Sequence, residues 1–374
     1  MTRSPVRALL VALSLAPVAP LGCGGSSSSD GPIPVEPFGD AITMPRGLAC
    51  IDSTHAAVAT ERAGLQIVRI EHPTATEVVA TLPADERVDL DQAYFLRAPG
   101  RLYFLNRTVG MLHVIDTTNP DAPTEVGAVA GGVLGSVAGG ANIVYETDAM
   151  GMVAVDMTAP ASPTRGAPGK MFQRVQKFTP AAGTPIALIG DVLLALSGEQ
   201  TEIYSFDVKN PMMPVEIGRL SLLDPDREAS AKVVVNGWAL RGTLLYLGAT
   251  QLPAPPDITT PQIASLFVVD AGDPRAPRVV TYPNRRKPMA RVLFNDAANG
   301  LFGIAGSGNA ADTLQHVGIV VRFDLTDPNV PAPGRQIHFS ESTLINYGAI
   351  HDACFAGDTL VVYESTKVAF AKLQ

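Results

Sequence analysis

An all-β fold, a seven-bladed β-propeller of four-stranded blades, is predicted by two features of this sequence. One is a strand, Asp-Pro turn and strand motif that recurs along most of the chain; the other is the spacing between its copies, about one propeller blade each. The clearest copy is residues 111–127, MLHVIDTTNPDAPTEVG. Its first half is a short apolar run with β-branched residues, bounded by Thr, Asn, Asp and Pro, which break regular structure. Asp116 ends the strand with a short side chain able to accept hydrogen bonds from backbone N–H groups just ahead, while Pro120 and Pro123 fix φ and stop the ladder.

The pattern returns around Asp156, Asp207, Asp270 and Asp324, each followed by two prolines (Pro160 and Pro163, Pro211 and Pro214, Pro274 and Pro277, Pro328 and Pro331). Degenerate copies flank these five, with Arg69 and Lys372 where the Asp would stand. Anchor-to-anchor distances are 47, 40, 51, 63, 54 and 48 residues, and each unit carries two further strands before the motif, as in AKVVVNGWAL and TLLYLGA. Four strands per unit and seven units make a ring, which leaves few sheet edges unprotected. The last copy stops after three strands, so PFGDAITM (residues 37–44) is expected to supply the fourth and close the circle.

These residues resemble the LVIVD repeat family, whose repeat is a strand ending in Ile-Val-Asp, then Ser or Thr, an Asp/Asn-Pro pair and a second Pro. The resemblance covers about residues 45–374 and is strongest in the five middle copies. It implies a propeller and a place among bacterial or archaeal surface proteins without a defined activity.

Composition agrees with an all-β chain: 374 residues, 34 Gly, 31 Pro, 46% hydrophobic and only 17% charged. One propeller accounts for the length. Residues 1–22 read as a secretory signal, with Arg3 and Arg7 ahead of a short apolar run. PLGC resembles a bacterial lipobox with Cys23 as the lipidated residue, although Pro20 stands where Leu is usual; the alternative is an ordinary signal peptide with an incidental Cys. Residues 23–36 follow as a Gly/Ser tether, and residues 37–374 are the propeller. The expected address is the cell envelope, lipid-anchored at an outer membrane or cell surface. Removing residues 1–22 deletes two arginines and takes the net charge from −8 to −10, which argues against nucleic acid as a partner.

Cys50 and Cys354 align without gaps in ACIDSTHAAVAT and ACFAGDTLVVYE, at one point of the innermost strands of blades 1 and 7, neighbours in a closed ring. Two readings stand: a disulfide that staples the ring in an oxidising compartment, or two buried thiols filling places that Leu96, Val137, Ala187 and Trp238 fill in other blades.

Long insertions (residues 166–180, 222–230, 252–261, 283–288 and 307–316) fall in loops joining strands two to three or blade to blade. One propeller face is thereby elaborated, and it is the expected binding face. Its loops gather Lys170, Arg174 and Lys177 in one place and Arg285, Arg286 and Lys287 in another, a candidate surface for an anionic partner or simply a solvated one. No catalytic set is assigned. The six histidines lack metal-ligand spacing; His351 and Asp352, near the channel, are the nearest to an acid–base pair. Asp89 and Asp91, and Asp224, Asp226 and Glu228, lack an EF-hand pattern. The aspartates Asp116, Asp156, Asp207, Asp270 and Asp324 recur in every middle blade, as turn-fixing residues should. No metal or cofactor is expected. The reading is a monomeric, non-enzymatic binding or scaffold module for an envelope protein, glycan or small ligand, with a secreted propeller hydrolase or lyase acting at the channel mouth as the alternative.

Overall fold

The computed structural model describes residues 36–37, 42, 45–72, 75–82, 88–89, 93–131, 134–148, 151–166, 184–197, 201–211, 213–223, 232–252, 263–281, 289–295, 299–305, 319–338, 350–364 and 368–372. Among them every regular element is a strand, and 28 strands form seven antiparallel sheets of four. In blade 2 the order from the channel outward is Ala93–Ala98, Arg101–Asn106, Met111–Asp116 and Thr124–Ala130. The middle two strands, RLYFLN and MLHVID, are buried on both faces, which is why they read as continuous apolar runs without alternation.

The apolar interior is divided. Seven clusters of buried residues each bridge two adjacent blades: Leu105 and Val114 meet Val144 and Val155 between blades 2 and 3, and Leu194 and Ile203 meet Leu247 and Phe267 between blades 4 and 5. Val58 and Val68 of blade 1 meet Val361 and Phe370 of blade 7, and this wedge completes the circle.

Blade 7 takes its outer strand from the N-terminal side: Glu36 and Pro37 pair with Phe370 and Ala369. Among the described residues of the expected stretch 37–44, Pro37 lies in this strand, next to Glu36, which the sequence placed in the tether. Proline donates nothing to a ladder and belongs at a sheet edge.

The repeat aspartates hydrogen-bond within their own turns. The Asp116, Asp156, Asp270 and Asp324 carboxylates each accept the backbone N–H two residues on, at 2.8–2.9 Å, and Asp207 does so at 3.0 Å. Thr118, Thr158 and Thr326 add a hydroxyl to the same oxygen at 2.6–2.7 Å. The following Asn, Ala or Asp then closes a second turn, its carbonyl accepting from Ala122, Ser162, Met213, Ala276 and Val330 in the five blades.

The end of the motif has a role that its own blade does not explain. In the outer strand of blade 2, Gly127 lies against the Pro160 carbonyl of the next blade's Asp-Pro turn, where a Cβ would overlap that oxygen. Gly218 of blade 4 meets Pro274 of blade 5 in the same way, with 2.5 Å between a built Cβ and the carbonyl oxygen. At the corresponding bulge of blade 5 stands Thr281, whose hydroxyl donates to the Asn329 carbonyl of blade 6 at 2.6 Å. The Asp-Pro turn therefore both folds its own hairpin and docks on the preceding blade.

Candidate functional site

The innermost strands of all seven blades line one axial cavity of about 480 Å³, walled by Leu48, Leu96, Ala187, Trp238, Leu293 and Cys354 among others. A second space of about 760 Å³ continues it among the turns that join strands one and two, next to Asp52, Ser53, Pro99, Gly100, Asn295 and Gly357. Cys50, Arg97, Leu293 and Cys354 border both spaces. Their sizes lie within the roughly 300–1,000 Å³ of small-molecule sites.

Strand registers identify equivalent positions around this ring. The repeat Asp116 pairs with Arg101, and the residues in its place, Arg69 and Lys372, pair with His55 and Thr359. One step further along the second strands stand Leu102, Ala56 and Leu360, whose innermost-strand partners are Arg97, Cys50 and Phe355. The same step in blades 3 to 6 gives Gly139, Leu188, Leu240 and Phe294. This ring of seven is apolar except at Arg97, which is exposed and has no hydrogen-bond or ion-pair partner among the described residues.

That register corrects the expectation for the cysteines. Cys354 is equivalent to Ala49 and Leu96, whereas Cys50 is equivalent to Arg97, one position further on. Blade 1 joins its first two strands through three residues, Asp52 to Thr54, and blade 7 through two, Gly357 and Asp358; a gapless alignment hides the extra residue. The offset brings the Cα atoms to 5.6 Å, with Sγ atoms 2.02 Å apart in a disulfide linking blades 1 and 7. Of the proposed equivalents, Ala187 shares the place of Cys354 and Leu96, while Val137 and Trp238 pair one step further from the turn.

The extra turn residue builds a polar cluster the sequence did not reveal. Asp52 Oδ1 accepts from the Thr54 and His55 N–H groups at 2.7 and 2.8 Å and lies 3.1 Å from His55 Nδ1. His55 Nε2 is 3.0 Å from Asp121 Oδ1 in the turn of blade 2, and Arg69 Nε donates to that same oxygen at 2.8 Å. Burial raises the Asp52 carboxyl, but hydrogen bonds from Thr54 and His55 outweigh it and hold it below the usual carboxylate range. The His55 and Arg69 hydrogen bonds hold Asp121 low as well. With both ring nitrogens engaged, His55 ties blade 1 to blade 2; Arg69, where the repeat Asp is missing, supplies the interblade contact.

The other singled-out residues divide between described and undescribed parts of the chain. Asp352 is half-buried at the cavity wall, its Oδ1 accepting from the Ala353 N–H at 2.8 Å. The His351 side chain, Cys23, the basic residues Lys170, Arg174, Lys177, Arg285, Arg286 and Lys287, the carboxylates Asp91, Asp224, Asp226 and Glu228, and nearly all of the long insertions lie outside the described residues. Among the described residues no group of three or more His, Cys, Asp or Glu is placed to hold a metal ion. The axial space opens among the short turns that join strands one and two. The first strand carries no motif, so it is the ring register that marks Arg97 as the odd residue.

Neither a protein-family model nor a curated protein sequence matches the chain. Solved structures do. A chain of the mitotic checkpoint complex superposes with a TM-score of 0.57 at 11% identity, covering 98% of this chain and 99% of that one. The Cps50 (Swd1) β-propeller domain of Myceliophteria thermophila gives 0.56 at 10% identity over 89% and 97%, and the RRP9 WD40 repeats give 0.54 at 10% over 92% and 99%. The chain is a seven-bladed β-propeller. At such identities the likeness is one of fold alone, and the propeller's site must be argued from its own residues.

Proposed function

We propose that this propeller is an exported, lipid-anchored binding module of the LVIVD repeat type whose axial cavity takes a small ligand. The observation that carries the reading is the cavity itself: a mainly apolar wall drawn from every blade, carrying the half-buried Asp352 carboxylate and, at the seam between its two compartments, one guanidinium, Arg97. Rigid scaffolds with apolar pockets and few polar groups are the common form of ligand sites. Export fits the Cys50–Cys354 disulfide, since such bonds persist in oxidising compartments, and Cys23 is the residue that would carry the lipid.

Two measurements test it. Fractionation of cells expressing the full chain should place it in the membrane fraction, and Cys23→Ser should release it; a Cys23→Ser protein with unchanged fractionation removes the lipid anchor from the proposal. Native mass spectrometry of the full chain, after exposure to a small-molecule extract of its own envelope, should show a bound mass. Ala49→Phe, which narrows the cavity from its wall, should lose that mass while keeping the disulfide. A bound mass equal in both proteins would place the ligand elsewhere, and conversion of the captured compound would turn the reading toward the hydrolase or lyase.

A further inference from the structure

We infer that the ligand class of the axial cavity is a small amphipathic carboxylate, its acid group paired with the Arg97 guanidinium and its apolar body lying along Leu96, Leu188, Leu240, Leu293 and Trp238. This rests on the reading of the cavity as the binding site.

The charge pattern selects the anion. Of the seven equivalent ring positions only Arg97 is charged, and the fold does not need it, since Cys, Gly, Leu and Phe serve at the other six. The nearby carboxylates are engaged by their own backbone: Asp52 accepts from Thr54 and His55, and Asp352 from Ala353. Arg97 is the group that faces the space without a partner among the described residues. A guanidinium fork matches a carboxylate in a planar, two-point contact. One such fork suits a monoanion; a phosphate dianion calls for more cations than the described wall provides.

The wall selects the rest of the molecule. Beyond Arg97 the inner compartment of about 480 Å³ is lined mainly by aliphatic and aromatic side chains, so a ligand with a short alkyl or aromatic body gains by burying it there. A strongly polar body, such as a sugar acid, would leave its hydroxyls facing leucines.

Trp238 is the chain's only tryptophan and stands on this wall, so its emission reports occupancy without a label. The full mature chain is titrated with octanoate, octan-1-ol and octylammonium, and thermal unfolding and thiol content check that each variant is folded. Octanoate should shift the Trp238 emission saturably and bind more tightly than octan-1-ol. Arg97→Gln should weaken octanoate by about tenfold and leave octan-1-ol unchanged, with Arg97→Lys between the two. The carboxylate assignment is overturned, while the cavity stands as a site, if octan-1-ol binds as tightly as octanoate, if Arg97→Gln leaves octanoate unaffected, or if octylammonium binds best. No saturable change with any of the three would overturn both the ligand class and the cavity as the binding site.

Discussion

Gly127 in blade 2 and Pro160 in blade 3 are in backbone contact: the glycine leaves room for the proline carbonyl, and any Cβ there would collide with it. Gly127→Ala should therefore part blades 2 and 3 locally, costing about 1–3 kcal/mol as overpacked sites do. Denaturant unfolding of the purified variant measures this. A variant as stable as the parent would mean the turn docks without needing the glycine.

Equivalent tyrosines give a paired test. The Tyr103 hydroxyl donates to the Ala141 carbonyl of the next blade at 2.6 Å, whereas the buried Tyr145 hydroxyl finds no partner among the described residues. Burial, with a contribution from Asp191, pushes the Tyr145 hydroxyl up to about 12. Tyr103→Phe should cost about 0.5–1.5 kcal/mol, and Tyr145→Phe should be neutral or stabilising, because it deletes an unsatisfied group. Equal losses in the two variants would contradict the assignment of hydrogen bonds.

The Cys50–Cys354 bridge spans 304 residues of sequence, while the strand that completes blade 7 pairs Glu36 and Pro37 with Phe370 and Ala369 among the described residues. Reduction should lower the unfolding free energy by about 2–5 kcal/mol, and a Cys50→Ser/Cys354→Ser protein should be insensitive to reductant. Mass spectrometry under non-reducing conditions that finds both thiols free in the mature protein would refute the bridge.

Acid should weaken the turns before the sheets. Hydrogen bonds from the Thr118 hydroxyl and N–H hold the Asp116 carboxyl below its ordinary value; the Gly272 N–H and Arg278 do so for Asp270. A depressed folded pKa means stability that is complete above the unfolded value, about 3.9, and lost as pH falls through the lower folded value. Stability should accordingly decline below about pH 4. Asp116→Asn keeps an acceptor and removes the titration, so its loss between neutral and acid pH should be smaller than the parent's. Parallel curves for the two proteins would count against the turn carboxylates as the acid-sensitive groups.

How far the sequence reaches depends on where its motif lies. The third strand and its turn carry Asp and paired Pro at fixed offsets, so blade number, strand order and the turn role of Asp116 could be read directly. The first strand has no such marker, and a single extra residue between Asp52 and Thr54 moves Cys50 one position relative to Cys354. The pair is visible as neighbours in the sequence, but the offset that brings their Cα atoms within bridging distance is visible only in the ladder. Arg97 was hidden for the same reason. The purpose of Gly127 is not legible within its own repeat, because its partner, Pro160, belongs to the next copy.

Because the apolar interior consists of separate wedges, each blade depends on its two neighbours and on little else. A ring of such units could gain or lose a copy by gene duplication or deletion with only local repacking. What resists this lies at one seam: the Glu36–Pro37 strand and the Cys50–Cys354 link both join the start of the chain to its end. Copy number is thus enforced where the circle is locked, and the remaining interfaces are free to diverge blade by blade.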